Sequence, residues 1–159
     1  MDALVALAVS IGILIAVWTY VALTVAALPV WAGIVAWGCF FAAGGKTTGL
    51  SKTIASNLSG VFWAFVALYA SKSFGGGIPV LAVLVGLAAF FMVLQAKIPT
   101  LSFIPGAFLG AATAVSVAVG ASMPHPWIKT IIALVAGAVL GYLSEQLAGP
   151  LTRSQRRAA

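Results

Sequence analysis

The 43 residues from Ala3 to Gly45 contain no charged side chain. A bilayer core takes about 20 apolar residues per helical crossing, so this stretch is long enough to cross twice. A soluble domain would break such a run, because about a quarter of its residues are charged. Here 6% are charged, 63% are hydrophobic and the mean hydropathy is +1.18. Lipid is therefore the expected solvent for most of the chain, and an all-α integral membrane protein is the expected class.

The net charge of +6 does not point to nucleic acid. Its cations are scattered through short loops and the C-terminal tail, which is the pattern of the positive-inside rule. Cys39 is the sole cysteine, so neither an intrachain disulfide nor a cysteine-based metal site is expected. Met1-Asp2 carries no basic lead-in, and the sequence after it reads as a first transmembrane helix and not as a cleaved signal.

Six spans are predicted. The first covers 3–27, and Pro29 restarts the chain because proline lacks the amide donor that a continuing helix needs. The second covers 29–43 and stops at Gly44-Gly45. A polar loop over 45–52 leads to a third span over 53–70. A glycine-rich loop over 71–77 precedes the fourth span, 79–95. The fifth covers 101–119 and the sixth 127–147. The domain division is a six-helix transmembrane domain over 1–149 and a basic cytoplasmic tail over 150–159. With six spans both termini share a side with Lys46, Lys52, Lys97, Arg153, Arg156 and Arg157, leaving Lys72 and Lys129 opposite. The excess marks the first side as cytoplasmic. Fusing the first two spans into one would split these cations across both faces.

A shift of 50 residues aligns Pro29-Val30 with Pro79-Val80, Phe40-Phe41 with Phe90-Phe91, and Gly60 with Gly110. Pro126 begins a weaker third match. The expected fold is therefore three two-helix hairpin repeats in parallel orientation around an axis. Such an axis either carries a solute path or records duplication and packing alone.

Few residues offer chemistry. Gly45-Lys46-Thr47 resembles the end of a phosphate loop, but that motif needs glycine at position 40, where Phe40 stands. Glu145, the one acid beyond Asp2, is either an interfacial carboxylate near a cation or a gate. His125, between Pro124 and Pro126, is a loop residue or a pH-sensitive gate. No ionisable residue falls near a helix midpoint, which argues against a proton relay. Phe40, Phe41, Phe90 and Phe91 lie at similar depth to Gly60 and Gly110. The rings either pack beside small residues or form an apolar constriction that passes neutral solutes and excludes ions. Asn57, Ser56, Ser59, Gln95, Thr113 and Ser116 bring polar groups into the spans, either to join helices or to line a path, and Trp63 could serve either role. No carboxylate pair, histidine cluster or nucleophile beside a base is present, so no enzyme is expected, and no cofactor or metal site.

Two stretches carry a family likeness. Phe40-Phe41-Ala42-Ala43-Gly44-Gly45 is followed by Ala55-Ser56-Asn57-Leu58-Ser59-Gly60-Val61-Phe62-Trp63, and Ile104-Pro105-Gly106-Ala107-Phe108-Leu109-Gly110 comes later. These resemble the YcdZ-type family of uncharacterised bacterial inner-membrane proteins over nearly the whole chain. The resemblance implies a bacterial inner-membrane location and no assigned substrate. The architecture is similar to that of acid-gated urea channels and acetate-succinate transporters, which implies oligomeric rings with one pore per protomer. The Asn-Pro-Ala signature of the acetate family is absent. The function expected is a passive channel or facilitator for a small, largely neutral solute (urea, amide or weak acid), acting as a homo-oligomer, a trimer or hexamer. The alternative is a non-transporting membrane subunit or scaffold.

Overall fold

The computed structural model describes residues 2–120 and 122–156, and among them every regular element is helical. Six α-helices follow in order: α1 (Ala3–Thr24), α2 (Val30–Ala42), α3 (Lys46–Ser73), α4 (Ile78–Leu94), α5 (Ile104–Gly120) and α6 (Pro126–Arg156). Two single 3-10 turns, Gln95–Lys97 and Pro99–Leu101, join α4 to α5. Four stretches are long and apolar enough to cross a membrane: Ala3–Thr24, Lys46–Ser73, Ile78–Lys97 and Pro126–Thr152. α2 and α5 are shorter, at 13 and 17 residues.

Local chemistry explains the boundaries. Pro29 sits at the N-cap of α2 in extended geometry, and Pro105 falls in the first turn of α5, where a missing amide donor costs nothing. Gly44 and Gly45 take left-handed φ values of 99° and 65°, which close α2 and turn the chain within a few residues. Two expectations change here. The predicted loop over 45–52 is helical from Lys46 onward, because the glycine pair completes the turn and nothing after it breaks a helix. The sixth helix does not end near Leu147 but runs through Pro150 to Arg156. Arg157 and the two residues after it lie outside the described residues.

The outside of the bundle is apolar. Ile13, Tyr20, Phe62, Phe90 and Ile132 are among the large hydrophobic side chains that face outward. The inside is built from small residues, including Ala36, Ala64, Ala114 and Ala138 around Leu134. This inversion suits lipid, where helices gain little by hiding apolar surface and associate through close packing of small side chains. Three glycines permit the closest approaches. A side chain at Gly60 would overlap the Ala107 carbonyl, one at Gly110 the Asn57 carbonyl, and one at Gly137 the Gly33 carbonyl.

The packing does not follow three hairpins. α3 packs most extensively against α5 and then α4, and α6 against α2 and then α1. α1 and α2 touch little, although only five residues separate them. The reason is the distribution of small residues, which line α2, α3, α5 and α6, while α1 and α4 stay peripheral. The helices matched by the 50-residue shift therefore occupy unlike places, with α2 inside the bundle and α4 at its edge.

Candidate functional site

The most unusual feature of the interior is a polar face on α3. Thr53, Ser56 and Asn57 stand at i, i+3 and i+4, so one side of the helix presents all three. Thr53 and Ser56 are fully buried and Asn57 is 1% exposed. The Thr53 Oγ1, the Ser56 Oγ and both amide atoms of Asn57 lack a hydrogen-bond partner. Three other buried hydroxyls, those of Ser10, Thr130 and Ser144, are satisfied. Ser10 donates to the Leu7 and Ser144 carbonyls, both at 2.9 Å, Thr130 to the Pro126 carbonyl and Ser144 to that of Gly141. Leaving one buried polar group unpaired costs about 1–3 kcal/mol. Opposite this face α5 carries Gly106 and Gly110, and a side chain at Gly106 would press on the Ser56 Cβ. The glycines thus let α5 close tightly onto the polar face.

A second polar group lies at the seam of α3 and α4. The Trp63 indole donates to the Gln95 Oε1 at 3.1 Å, and the Gln95 amide donates to the Ser59 Oγ at 2.8 Å. Ser59 in turn donates to the Ser56 carbonyl at 2.8 Å, so the chain of bonds ends on the backbone of the polar face. Trp63 also stacks on Phe91, with ring centroids 5.0 Å apart and planes within 8°.

The aromatic pairs separate. Phe40 is fully buried and meets Phe41 and Tyr142 edge-on at 5.1 and 6.4 Å. Its ring occupies the space left by the absent side chain of Gly141. Phe90 and Phe91 meet each other edge-on at 5.4 Å on α4, and Phe90 is 60% exposed. No close ring pair among the described residues joins the two Phe-Phe steps. Thr113 is buried on α5, the principal neighbour of α3. The structure thus links Ser59, Trp63 and Phe91, and sets Asn57 two residues from Ser59 on another face of the same helix.

The two gate candidates stand apart. The Glu145 carboxylate accepts the backbone N–H of Lys46 at 2.7 Å, satisfying one of the free donors at the start of α3. His125 is exposed, with a left-handed φ of 53°, immediately before α6. Twenty residues of helix separate them, about 30 Å at 1.5 Å per residue. Among the described residues no group of three or more His, Cys, Asp or Glu could hold a metal.

Sequence reading missed two features. Thr53 reads in the sequence only as a helix start, although its spacing to Ser56 and Asn57 puts it on their face. The other is an apolar cavity of about 460 Å³ between α3, α4 and α5, bordered by Ala88, Met92, Phe108, Ala111 and Val115. The runs Ala88-Ala89 and Ala111-Ala112 were its only sequence signal.

Membrane-length apolar helices, an apolar exterior and a sequestered polar face define a helical membrane protein. The model of a family described as a protein of unknown function, DUF1097, matches residues 8–149. The chain belongs to that family. It is similar to the inner membrane protein YcdZ of Escherichia coli K12, 36% identical over 144 residues, covering 89% of this chain and 83% of that protein. The Salmonella typhimurium LT2 protein of the same name is 34% identical over 143 residues, covering 89% and 85%. The uncharacterized protein YahC of Escherichia coli K12 is 33% identical over 162 residues, covering 91% and 90%. No solved structure matches the chain.

Proposed function

We propose that this protein is a passive channel or facilitator for a small, largely neutral solute of the urea, amide or weak-acid class. In this reading it sits in a bacterial inner membrane, where its YcdZ relatives are named as belonging. All six helices cross, both termini face the cytoplasm, and several copies assemble as a trimer or hexamer. The observation that carries the reading is the set of four unpartnered polar atoms on Thr53, Ser56 and Asn57 inside a bundle with almost no charge. Hydrogen-bonding groups held without partners suit a neutral guest that brings both donors and acceptors. An ion would lose its hydration there without charged or carbonyl replacements. The paired aromatics Trp63 and Phe91 and the Gln95–Ser59 bond give the α3–α4 seam further polar and flat surface.

A stopped-flow swelling assay on proteoliposomes tests this with urea, acetamide and acetic acid. Permeation faster than in empty liposomes is expected for at least one of them. Rates indistinguishable from empty liposomes for all three would end the proposal. A second reading, a non-transporting membrane subunit, is favoured by the glycines. Gly60, Gly110 and Gly137 are used for helix contact, which a scaffold also requires. Stoichiometric recovery of one partner protein together with inert liposomes would select it.

A further inference from the structure

The two packing groups, α3 with α4 and α5, and α6 with α1 and α2, correspond to each other residue by residue. The eight buried positions of α3 from Thr53 to Ser71 fall, 77 residues on, on the eight buried positions of α6 from Thr130 to Ala148. Five of the six buried residues of α2 fall, 74 residues on, on buried residues of α5. Contacts map as well as burial. Gly60 meets the Ala107 carbonyl, and its counterpart Gly137 meets the carbonyl of Gly33, the counterpart of Ala107. Ser56 lies against Gly106, and their counterparts Ala133 and Ala32 share one core cluster. α4 leans on α3 as α1 leans on α6. The step from 74 to 77 needs only a turn three residues longer between α5 and α6 than between α2 and α3.

We propose that α1–α3 and α4–α6 are two copies of one three-helix unit crossing the membrane in opposite directions, and that the Thr53–Ser56–Asn57 face is a one-sided solute site at their junction. An odd number of crossings per unit reverses the second copy, giving the inverted repeat whose substrate sites lie where the copies meet. The site rests on the transport reading above, whereas the repeat does not. The repeat also separates function from architecture. At the register position of Asn57 the other copy carries Leu134, equally buried, and at that of Ser56 it carries Ala133. The fold is therefore served by apolar residues of similar size in these places. Thr53 has a threonine counterpart, Thr130, but Thr130 spends its hydroxyl on the Pro126 carbonyl whereas that of Thr53 has no partner. The polar chemistry is confined to one copy, and it matches a neutral ligand with both donor and acceptor atoms, urea- or amide-like.

The test borrows each copy's residue for the other. Asn57→Leu installs what the second copy already holds. Its melting temperature in detergent should equal or exceed that of the wild type, since two unpartnered atoms vanish. Its urea or acetamide flux should fall by about tenfold or more, as one hydrogen-bonding group is worth about that factor. Adding Leu134→Asn to this variant should restore part of the flux by rebuilding the site in the other copy. A clearly lowered melting temperature for Asn57→Leu would overturn the register, and unchanged flux would overturn the site. Reporter fusions give an independent check, with both termini expected on one side and the turn between α3 and α4 on the other. Termini on opposite sides would refute the inverted repeat. Inert wild-type liposomes would remove the transport reading and the site together, with the melting and topology results still deciding the repeat.

Discussion

Replacing Gly60 by alanine adds a single methyl group, yet it should be among the most damaging small changes in the chain. That methyl would overlap the Ala107 carbonyl and crowd the Ala111 amide, both backbone atoms that cannot swing away. α3 and α5 must separate instead, along the most extensive helix contact in the molecule. A gap of 0.5–1 Å forfeits about a quarter to a half of the dispersion well of each atom pair it opens. Overpacking of this kind costs about 1–3 kcal/mol, and the backbone location places Gly60→Ala at about 3 kcal/mol. Gly12 and Gly86 supply the control, because nothing lies within 4 Å of where their methyl groups would go. Alanine there should stabilise by up to about 1 kcal/mol through helix propensity alone. Denaturant or thermal unfolding in detergent micelles would measure all three. Gly60→Ala proving as stable as Gly86→Ala would refute the close crossing of α3 and α5. Gly137→Ala should behave like Gly60→Ala, since it overlaps the Gly33 carbonyl in the same manner.

Trp37→Ala should cost about 3–5 kcal/mol by opening a void, and it also frees the Ser144 hydroxyl that the indole reaches at 3.2 Å; an unfolding midpoint near wild type would contradict this burial. Glu145→Ala should loosen the start of α3 by about 1 kcal/mol through loss of the carboxylate at a helix N-terminus. Hydrogen exchange at the Lys46–Gly49 amides should rise in that variant while the centre of α3 stays protected. Gln95→Leu removes the partner of both Trp63 and Ser59, and a shifted Trp63 emission together with about 1–2 kcal/mol of lost stability is expected.

The helices were largely legible because their punctuation is strong. Pro29, the Gly44-Gly45 pair, Gly75 to Gly77 and Pro126 each fall at or beside a helix end. The first turns of α3 and the last of α6 were not: the polar residues after Gly45 read as loop although nothing there breaks the helix, and α6 continues through Pro150, which reads as a stop. The repeat illustrates a deeper limit. A shift of 50 residues matches letters such as Phe40 with Phe90, yet one ring is fully buried and the other faces outward. Of the eight burial-matched pairs on α3 and α6, only Thr53 with Thr130 and Gly60 with Gly137 are identical. Helix association in lipid selects for size at a contact, not for a particular residue, so the packing register leaves little trace in the alphabet. The polar face was half visible, in Ser56 and Asn57. That its atoms lack partners depends on which neighbours pack against α3, and spacing alone does not carry that information.

In the proposed six-crossing arrangement, the shortness of α2 and α5 would set the hydrophobic thickness of the molecule at its waist. At 1.5 Å per residue, 13 and 17 residues reach about 20 and 25 Å, against about 30 Å of hydrocarbon. These two helices touch each other in the middle of the bundle, so the deficit is shared by neighbours and not scattered around the rim. In that arrangement water and headgroups would dip toward the centre from both faces, and the dry barrier would be narrowest along the line where the two three-helix groups meet. Host membranes with longer acyl chains would have to thin locally to match, at fractions of a kcal/mol per Å, and chain length would then regulate how well this protein sits and works.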